Sequence, residues 1–387
     1  TAVAILQLME QGKLGLQDDI TKFISDYPTH GHKITIEHLL THTSGIQSYT
    51  GMKDFENISR LDKKPEELIA FFKNQPMEFA PGTKWNYNNS GYFLLGYIIE
   101  KVSGKTYPEY VEETFFKTLG MTNSYYGSDS KIIKNRASAY SKNDSGFVNA
   151  EPLSMTLPYA AGSLQSSVED LYKWNQALHS FKLVKKESLD KAFTSYILAD
   201  GKKTNYGYGW SMGNIQGSPT IEHGGGIPGF LTMGIYLPKE DVFVTIFSNC
   251  DCKSPDELAV KLAGLAIGKP FEYKEINADT SVMKQFTGVY EMAGSDEKRY
   301  ITFANGKLFS QRNRNTKFNI KPYEKDKYYF ESMMNTIEFL RNKSGVVEKL
   351  IFKGRDEPTE WIKTEKPLPV IMEIDVDESI LETYVGE

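Results

Sequence analysis

The spacing of hydrophobic residues changes near Gly207, and this change constrains the fold more than any other feature of the chain. Before it, apolar positions recur at helical spacing in several segments. After it, stretches separated by turn residues predict strands at Tyr208–Met212, Pro219–His223, Phe230–Leu237 and Val242–Ser248. Ser254–Ile267 returns to a helical pattern. This order predicts an α+β fold, in which helices flank an antiparallel sheet and form a helical subdomain.

Glycines and polar cap residues set the limits of the predicted helices. Gly12 closes the helical pattern of Ala2–Gln11 as a C-terminal cap. Ser166-Ser167-Val168-Glu169 fits a capping box and predicts a helix that runs to about His179. The polar segment Ser130–Pro158 is predicted to be a loop. The other predicted helices are Ile36–Thr41, Pro65–Asn74, the segment from Ser90 to Gly104, and Tyr107–Leu119.

The composition changes again near residue 275. From there to about Lys363, short strands rich in Tyr, Phe and Ile alternate with turns such as Ala304-Asn305-Gly306. This pattern is typical of a small antiparallel barrel or sandwich. We therefore expect three parts: an α+β domain at residues 1–272, a small all-β barrel module at 273–364, and a linker with the start of a possible second β module at 365–387.

The possible second module is inferred from a short internal repeat, in which matching residues recur at a constant separation along the sequence. Ile276, Asp279 and Ser281 reappear as Ile374, Asp377 and Ser379, and the similarity continues to Gly386. A chance similarity is the alternative, because the matched segment is short.

Composition excludes some classes of protein. The formal net charge of −5 disfavours a nucleic-acid-binding protein, which would carry a basic excess. The longest apolar runs are too short to cross a bilayer. Cys250 and Cys252 lie only two positions apart, so we expect two free thiols, and they lack the partners that a metal site needs.

Two short motifs could carry chemistry. Tyr87-Asn88-Asn89 lies between a Pro-Gly turn and a predicted helix, and His223-Gly224-Gly225 ends one predicted strand before another. Tyr can relay a proton, Asn can bind an amide, and a glycine strand lets backbone N–H groups approach a developing oxyanion. Each motif alone has a structural alternative: Tyr87 as a buried aromatic with Asn89 as a helix cap, and the glycines as a turn.

These two motifs belong to a series of segments along the chain. The segments are Thr1-Ala2 through Leu14, His38-Leu39-Leu40-Thr41-His42-Thr43-Ser44-Gly45, Pro81-Gly82 through Tyr92, Ala161-Gly162-Ser163-Leu164, and His223-Gly224-Gly225 with Pro228-Gly229-Phe230. In this order they resemble the serine β-lactamase and penicillin-binding-protein family, in particular its class C β-lactamase-like and D,D-peptidase/esterase branch. The resemblance covers about residues 1–268, and the trailing region resembles the β-barrel modules often appended to this family.

The resemblance implies a role for each site residue. Tyr87 would be the general base or proton relay, Asn89 would hydrogen-bond the substrate, and His223 would stand where many relatives have Lys. Gly225 and Gly226 would lie on the strand that binds the oxyanion, and Gly226 would donate its N–H. Ala161-Gly162-Ser163 would line the pocket. His42 and Thr43 are expected to hold a helix–loop junction and not to touch substrate. No cofactor and no metal are implied.

The third element of such a site, Ser-x-x-Lys, is missing from its expected place. In relatives it shortly precedes the Thr-Ala pair that corresponds to Thr1-Ala2, so we expect both catalytic side chains to precede this chain. Ser-x-x-Lys begins at Ser128, Ser188, Ser281 and Ser295, but none of these precedes the first helix. The chain is interpreted either as a trimmed piece of an enzyme or as a natural non-catalytic relative, and alone it is predicted to be inactive.

The leading functional hypothesis is a serine hydrolase acting on D-amino-acid peptides, β-lactams or small esters. His223 in place of Lys weakens the case for β-lactams, because the permanent cation is lost at neutral pH. The alternatives are a cell-wall- or peptide-binding pseudoenzyme and, more weakly, an interaction scaffold. The expected partner is a small-molecule or peptide substrate, with no nucleic acid and no membrane-spanning segment. A periplasmic, secreted or surface location follows from the resemblance only, and oligomeric state stays open.

Overall fold

The computed structural model describes residues 1–369 except 314, 332–333 and 356–357. The chain divides into two compact units, Thr1–Pro270 and Phe271–Glu387. The inferred second β module, beginning at Ile374, lies outside the described residues. The first unit is a four-stranded antiparallel sheet with helices, and the second contains a closed antiparallel barrel. The predicted α+β fold followed by an all-β barrel is therefore confirmed.

Eleven α-helices lie in the described part of the chain. They are α1 Ala2–Glu10, α2 Ile36–Leu40, α3 Phe55–Ile58, α4 Pro65–Phe72, α5 Asn89–Ser103, α6 Tyr107–Val111, α7 Tyr159–Gly162, α8 Val168–His179, α9 Lys186–Ala192, α10 Asp256–Ala266 and α11 Thr280–Gln285. Short 3₁₀ turns form at Ile20–Lys22 and Tyr49–Gly51, and a π-helical turn at Glu112–Lys117 continues α6.

The strands of the described residues form four sheets. The strands of the first unit are β1 Tyr125–Tyr126, β2 Tyr140–Asn143, β3 Gly146–Asn149, β4 Leu164–Gln165, β5 Ser211–Ile215, β6 Ser218–Ile227, β7 Phe230–Leu237 and β8 Val242–Ser248. The main sheet has the order β5-β6-β7-β8, and β1-β4 and β2-β3 are two-stranded pairs. The barrel strands are β9 Gly288–Met292, β10 Lys298–Ala304, β11 Lys307–Arg312, β12 Phe318–Glu324, β13 Lys327–Phe330, β14 Thr336–Arg341, β15 Val347–Lys353 and β16 Thr359–Thr364.

Helix α5 is the centre of the helical part. Side chains on nearly every face of this helix are buried, as in a core helix. Leu94, Leu95 and Ile98 are fully excluded from solvent. Each fully buried aliphatic side chain contributes about 2 kcal/mol relative to exposure. Gly96 allows a close approach to α7, because a Cβ atom there would lie 2.2 Å from Cβ of Ala160. This packing places the N-terminus of α5, and the loop before it, at a fixed position.

Two local predictions are wrong, and a third holds except for the geometry of the last turns. The segment predicted as a loop, Ser130–Pro158, contains the β2–β3 hairpin, whose short, largely exposed strands show no alternation of buried and exposed positions. The N-cap of α8 is Ser167, which accepts from the N–H of Asp170, and not Ser166. The helix predicted at Tyr107–Leu119 changes to π-helical geometry after Val111.

The prediction of two free thiols is also wrong, because Cys250 and Cys252 form a disulfide in the structure. The turn after β8 brings their Cα atoms to 5.2 Å, within the range that a disulfide spans. Asp251 between them accepts hydrogen bonds from the N–H of Gly229 (2.8 Å) and from Ser141 Oγ (2.9 Å). This turn therefore links the β6–β7 connection to the β2–β3 hairpin.

In the barrel the order of the strands is β10-β11-β12-β13-β14-β15-β16-β9, closed by pairing of β9 with both β10 and β16. Its interior is filled by aromatic and aliphatic side chains, including Tyr290, Tyr328 and Trp361. Helix α11 contributes to this core through Met283 and is followed by Phe286, which stacks on Phe339 with 4.1 Å between ring centroids. The closed form is the solution that leaves a small sheet without exposed edges.

Candidate active site

The loop that carries Tyr87 is fastened to the end of α2. The backbone N–H of Gly82 donates to the carbonyl of Thr43 (2.8 Å), and that of Asn86 donates to the carbonyl of His42 (3.0 Å). The N–H of Asn88 donates to Nδ1 of His42 (3.1 Å). Because three successive parts of the loop bond to the segment after α2, the Tyr87 backbone has a defined position.

His42 acts as the buried anchor of this junction, as expected from the sequence. Its side chain is 1% exposed, and its backbone has φ 57°, a conformation that few non-glycine residues adopt. The ring lies against Tyr87, with 4.2 Å between centroids, and against Tyr92, at 4.9 Å. Burial, reinforced by His223, lowers the pKa of His42 to about 3, so the ring is neutral at neutral pH.

The two asparagines after Tyr87 have different functions. Asn88 is the N-cap of α5: its Oδ1 accepts from the N–H of Gly91 (2.8 Å). The alternative that Asn89 caps the helix is wrong, because Asn89 is the first helical residue. Its Nδ2 donates to Thr50 Oγ1 (3.0 Å), and its N–H donates to Ser48 Oγ (3.2 Å). These contacts hold the Asn89 amide at the helix N-terminus.

His223 lies on β6 and meets the Tyr87 loop from the other side. The centroids of the Tyr87 and His223 rings are 6.1 Å apart. Nδ1 of His223 bonds to the carbonyl of Gly224, and Nε2 lies 3.1 Å from the hydroxyl of Tyr206. The structure therefore brings together two residues that the sequence proposed for one site from separate motifs.

A cavity of about 140 Å³ lies next to His223, between the sheet and α8. Its wall includes Trp174 and His179 on α8, Trp210, and Tyr236 on β7. The residues that line it include no Asp, Glu, Lys or Arg. The imidazole of His223 is thus exposed to a largely apolar, aromatic space.

The glycine segment of β6 has one free edge. Strand β5 pairs with β6 only as far as Glu222, whereas β7 pairs with β6 through Ile227. In the part of the chain that the structure describes, no strand pairs with Gly224–Gly226 on the side away from β7. Alternate backbone groups of an antiparallel strand point to opposite edges, so N–H groups on this segment are available to a ligand.

The segment Ala161-Gly162-Ser163 has mixed properties. Gly162 is exposed at the end of α7, but Ser163 is completely buried, and its hydroxyl donates to the carbonyl of Met155 (2.5 Å). Ser163 therefore holds the local fold and does not present its hydroxyl to a pocket. The start of α1 lies beside the same segment, since Thr1 Oγ1 donates to the carbonyl of Ala160 (2.5 Å).

Neither Tyr87 nor His223 is charged at neutral pH in this structure. Desolvation raises the pKa of the Tyr87 phenol, although the residue is 41% exposed, and lowers the pKa of the His223 imidazole against an opposing hydrogen bond to Gly224. Tyr87 is therefore a phenol that can pass a proton on, and His223 is a neutral donor and acceptor.

The Ser-x-x-Lys tetrads within the chain lie elsewhere. Ser188 is buried on α9, and Lys131 lies over the ring of Tyr125, with Ser128 bonded to Ser130. Ser281 and Ser295 belong to the second unit. Within the first unit, the contacts of the Ser128 and Ser188 tetrads place neither of them beside Tyr87 and His223.

Sequence reasoning missed Tyr206. This residue is 3% exposed, and its hydroxyl lies 3.1 Å from Nε2 of both His42 and His223. The available signal was the pair of glycines that follows. A Cβ atom on Gly207 would lie 2.0 Å from the carbonyl oxygen of Ala192, and one on Gly209 would lie 3.1 Å from the Tyr92 hydroxyl. Such close approaches mark a segment packed tightly against its surroundings.

Two kinds of feature are absent from the described residues. No helix among them is both long and apolar enough to span a bilayer. No group of three or more His, Cys, Asp or Glu side chains in that part of the chain is arranged to hold a metal ion.

Comparison with known proteins places this geometry in a family. The chain is 24% identical to penicillin-binding protein 4* of Bacillus subtilis, over 92% of the chain and 84% of that protein. An octameric penicillin-binding protein homologue from Pyrococcus abyssi superposes with a TM-score of 0.62 at 28% identity, covering 94% of this chain and 85% of that one. A D-stereospecific amidohydrolase from Streptomyces sp. superposes with a TM-score of 0.58 at 27% identity, covering 65% and 79% of the two chains.

The family match covers the whole unit in which Tyr87, Asn89, His223 and the glycine edge lie. Residues 1–267 match the family described as Beta-lactamase. The chain belongs to the Beta-lactamase family, whose domain is followed here by a closed eight-stranded barrel.

Proposed function

We propose that this protein is a serine hydrolase that forms an acyl-enzyme with D-amino-acid peptides or amides, or with small esters. The observation that carries the proposal is the convergence of Tyr87 and His223, with ring centroids 6.1 Å apart, in a domain of the Beta-lactamase family. The free glycine edge of β6 continues directly from His223. A proton relay beside donors for an oxyanion is the arrangement that acyl transfer requires.

Each residue has a proposed role. Tyr87 relays the proton between the nucleophile and the leaving group, and Asn89 donates its amide to the substrate. Gly225 and Gly226 supply the strand whose N–H groups stabilise the oxyanion, with Gly226 as the donor. Ala161 and Gly162 form part of the pocket wall. Since the phenol of Tyr87 is neutral, a nearby cation is needed to stabilise its phenolate if it is to act as a base.

The nucleophile and that cation are proposed to be the Ser and Lys of a Ser-x-x-Lys tetrad other than those that begin at Ser128, Ser188, Ser281 and Ser295. One helical turn places the Lys amine beside the Ser hydroxyl. The start of α1 lies against α7, with Thr1 bonded to Ala160 and to the Tyr107 hydroxyl (2.6 Å). The start of α1 therefore lies next to the proposed pocket wall.

The proposed substrate is uncharged at the position that faces His223. A lysine there would bind a substrate carboxylate, but a neutral imidazole offers hydrogen bonds without a charge. This favours amides and esters over β-lactams, which present a carboxylate. Similarity to the D-stereospecific amidohydrolase supports the amide class.

We also propose that the protein acts outside the cytoplasm. The Cys250–Cys252 disulfide supports this location, since disulfides persist mainly in oxidising compartments. Similarity to a penicillin-binding protein supports it as well.

Covalent labelling tests the proposal. The full polypeptide encoded by the gene and the polypeptide that starts at Thr1 would each be treated with a fluorophosphonate and with a fluorescent penicillin. We expect the full polypeptide to be labelled on one serine and the shorter one to stay unlabelled. Strong labelling of the polypeptide that starts at Thr1 would refute the assignment of the nucleophile. A full polypeptide that binds a D-amino-acid peptide but is not labelled would establish the pseudoenzyme alternative.

Two phenol-to-phenyl changes in the full polypeptide test the role of Tyr87. Loss of a proton relay typically lowers rates by about 10²–10⁴-fold, so Tyr87→Phe should reduce the labelling rate by at least about 10²-fold. Tyr172→Phe is the control, because Tyr172 is exposed on α8 and should leave the rate unchanged. Equal labelling rates in the two variants would exclude a role for the Tyr87 hydroxyl.

A further inference from the structure

Three side chains from distant parts of the sequence form one hydrogen-bonded line that ends at the proposed active site. The hydroxyl of Tyr206 lies 3.1 Å from Nε2 of His42 and 3.1 Å from Nε2 of His223. Its ring packs against His42 at 4.8 Å and against Trp85 at 5.8 Å between centroids. The contacts on either side of the line determine where its protons reside.

The backbone fixes the proton at the His42 end. The N–H of Asn88 donates to Nδ1 of His42, so Nδ1 is an acceptor and carries no proton. A neutral His42 then carries its proton on Nε2 and donates it to the Tyr206 hydroxyl oxygen. His42 thus supplies a donor to Tyr206 and leaves the hydroxyl hydrogen of Tyr206 free to donate elsewhere.

The backbone fixes the proton at the His223 end as well. Nδ1 of His223 bonds to the carbonyl of Gly224, and because a carbonyl can only accept, Nδ1 carries the proton. Nε2 is therefore an acceptor, and it faces the Tyr206 hydroxyl. The Tyr206 hydroxyl also interacts with the hydroxyl of Tyr92, which itself donates to the carbonyl of Leu40 (2.9 Å). The hydrogen bonds of 3.1 Å join Tyr206 to His42 and His223.

We propose that Tyr206 is a positioning residue of this site: by donating its hydroxyl hydrogen to Nε2, it holds His223 as the neutral, Nδ1-protonated imidazole. This inference rests on the proposed function for its relevance to catalysis, but not for its hydrogen-bond assignment. Protonation of Nε2 would give Tyr206 two donors, from His42 and His223, and would displace its own hydrogen from its acceptor. The line therefore opposes a positive charge on His223 and selects substrates that are uncharged there.

The pKa shifts of Tyr206, His42 and His223 all favour the uncharged forms of these three side chains. Burial, with contributions from Tyr92 and Tyr87, raises the pKa of Tyr206 well above its usual value, so Tyr206 remains a donor. Burial lowers the pKa of His42 and that of His223. Among the described residues, the titratable groups that face His223 include Tyr206, Tyr87 from the loop before α5, and His42 behind them, with His179 and Tyr236 in the wall of the cavity.

Imidazole ¹⁵N NMR on the polypeptide described here tests the assignment without requiring catalysis. In the unmodified protein we expect His223 to give the signals of a single Nδ1-protonated tautomer at pH 7. Tyr206→Phe removes the hydroxyl and keeps the ring that packs on His42 and Trp85. We expect this variant to show a mixture of His223 tautomers and a titration midpoint raised by at least half a pH unit. Tyr87→Phe is the matched control and should change neither, since the Tyr87 ring lies near His223 but no hydrogen bond joins them in the structure.

Some outcomes would overturn the inference. An Nε2-protonated His223 in the unmodified protein would do so even if Tyr206→Phe fails to fold. So would an unchanged tautomer and midpoint in a folded Tyr206→Phe protein.

The full polypeptide provides a separate functional measurement. In Tyr206→Phe, the acidic limb of the pH profile for ester hydrolysis should move to higher pH, which a purely structural defect would not produce. If labelling shows no acyl-enzyme while the NMR shifts occur, the hydrogen-bond assignment stands and the proposed function fails. If the enzyme is active and its pH profile does not move, the positioning role fails.

Discussion

Gly225 and Thr232 face each other so closely across the β6–β7 ladder that a Cβ atom on Gly225 would lie 2.6 Å from Thr232 Oγ1. Real Cβ atoms do not approach a neighbouring atom so closely, so a side chain at Gly225 forces Thr232 to move. Thr232 also lines the cavity beside His223. A side chain at Gly225 would therefore also change the wall of the cavity beside His223, because it would displace Thr232.

A double-mutant cycle measures this relationship. Gly225→Ala should destabilise the protein by about 1–3 kcal/mol, as overpacking of a tight contact does. Thr232→Ala removes the opposing oxygen, so the double variant should be more stable than the sum of the single changes predicts. We expect a coupling energy of about 0.5–2 kcal/mol in denaturant unfolding. Strict additivity would show that the two positions do not interact.

Stability should fall at acidic pH because of one buried and one half-buried histidine, His42 and His179. Burial lowers the pKa of His179 to about 4 and that of His42 to about 3. In an unfolded chain a histidine pKa is about 6.5, so below that pH the unfolded state binds protons that the folded state does not. Their stabilising contribution is complete above about pH 6.5 and is lost progressively as the pH falls toward the folded-state values.

His179→Phe isolates one of these contributions. The His179 ring stacks on Tyr236 at 3.7 Å and on Phe193 at 5.6 Å, and a phenyl ring can keep both contacts. We expect the decline of unfolding free energy between pH 6.5 and 4 to become shallower in the variant, measured by urea titrations at a series of pH values. An unchanged slope would mean that His179 does not titrate on unfolding in this range.

The strands that the sequence predicts best are those with clear turn residues at both ends. The predicted bounds Phe230–Leu237 and Val242–Ser248 agree with the structure. In contrast, β6 extends through Gly224–Gly226 to Ile227, beyond the predicted His223. Glycine is a poor strand former, so pairing with β7, and not local propensity, produces this extension.

The candidate site was only partly predictable for a related reason. Tyr87, Asn89 and His223 lie in short contiguous motifs that are visible in the sequence. Tyr206 has no motif of its own, and its contacts with His42 and His223 exist only after the sheet packs on the helical part. The buried state of Ser163 likewise depends on Met155 and could not be inferred from Ala161-Gly162-Ser163 alone. Long-range packing decides both cases.

Reduction of the Cys250–Cys252 disulfide should have a small effect on stability. A disulfide acts mainly by closing a loop in the unfolded chain, and this pair is separated by only two positions. We expect reduction, or Cys250→Ser with Cys252→Ser, to lower the free energy of unfolding by at most about 2 kcal/mol. Denaturant unfolding with and without reductant measures this. A larger loss would indicate that the bridge supports the Asp251 contacts with Gly229 and Ser141.

The barrel contains a buried cation whose replacement gives a further prediction. Arg299 is 4% exposed, and its guanidinium lies 4.2 Å from the ring centroid of Phe352 and 4.8 Å from that of Trp361. It donates to Ser310 Oγ (3.0 Å), whereas its Nε is buried without a partner. Burial lowers the pKa of Arg299 to about 10. Stacking between rings therefore does most to compensate for the lost hydration of this charge.

Two substitutions separate charge from packing at Arg299. Arg299→Lys keeps the charge but replaces the flat guanidinium with a strongly hydrated ammonium, which stacks poorly. Arg299→Met removes the charge and fills a similar volume with a side chain that suits aromatic surroundings. We expect Arg299→Lys to lower the barrel's unfolding free energy by about 2–4 kcal/mol and Arg299→Met to lower it less or not at all. If Met destabilises the barrel more than Lys, the positive charge itself must be stabilising, through its interaction with the two rings.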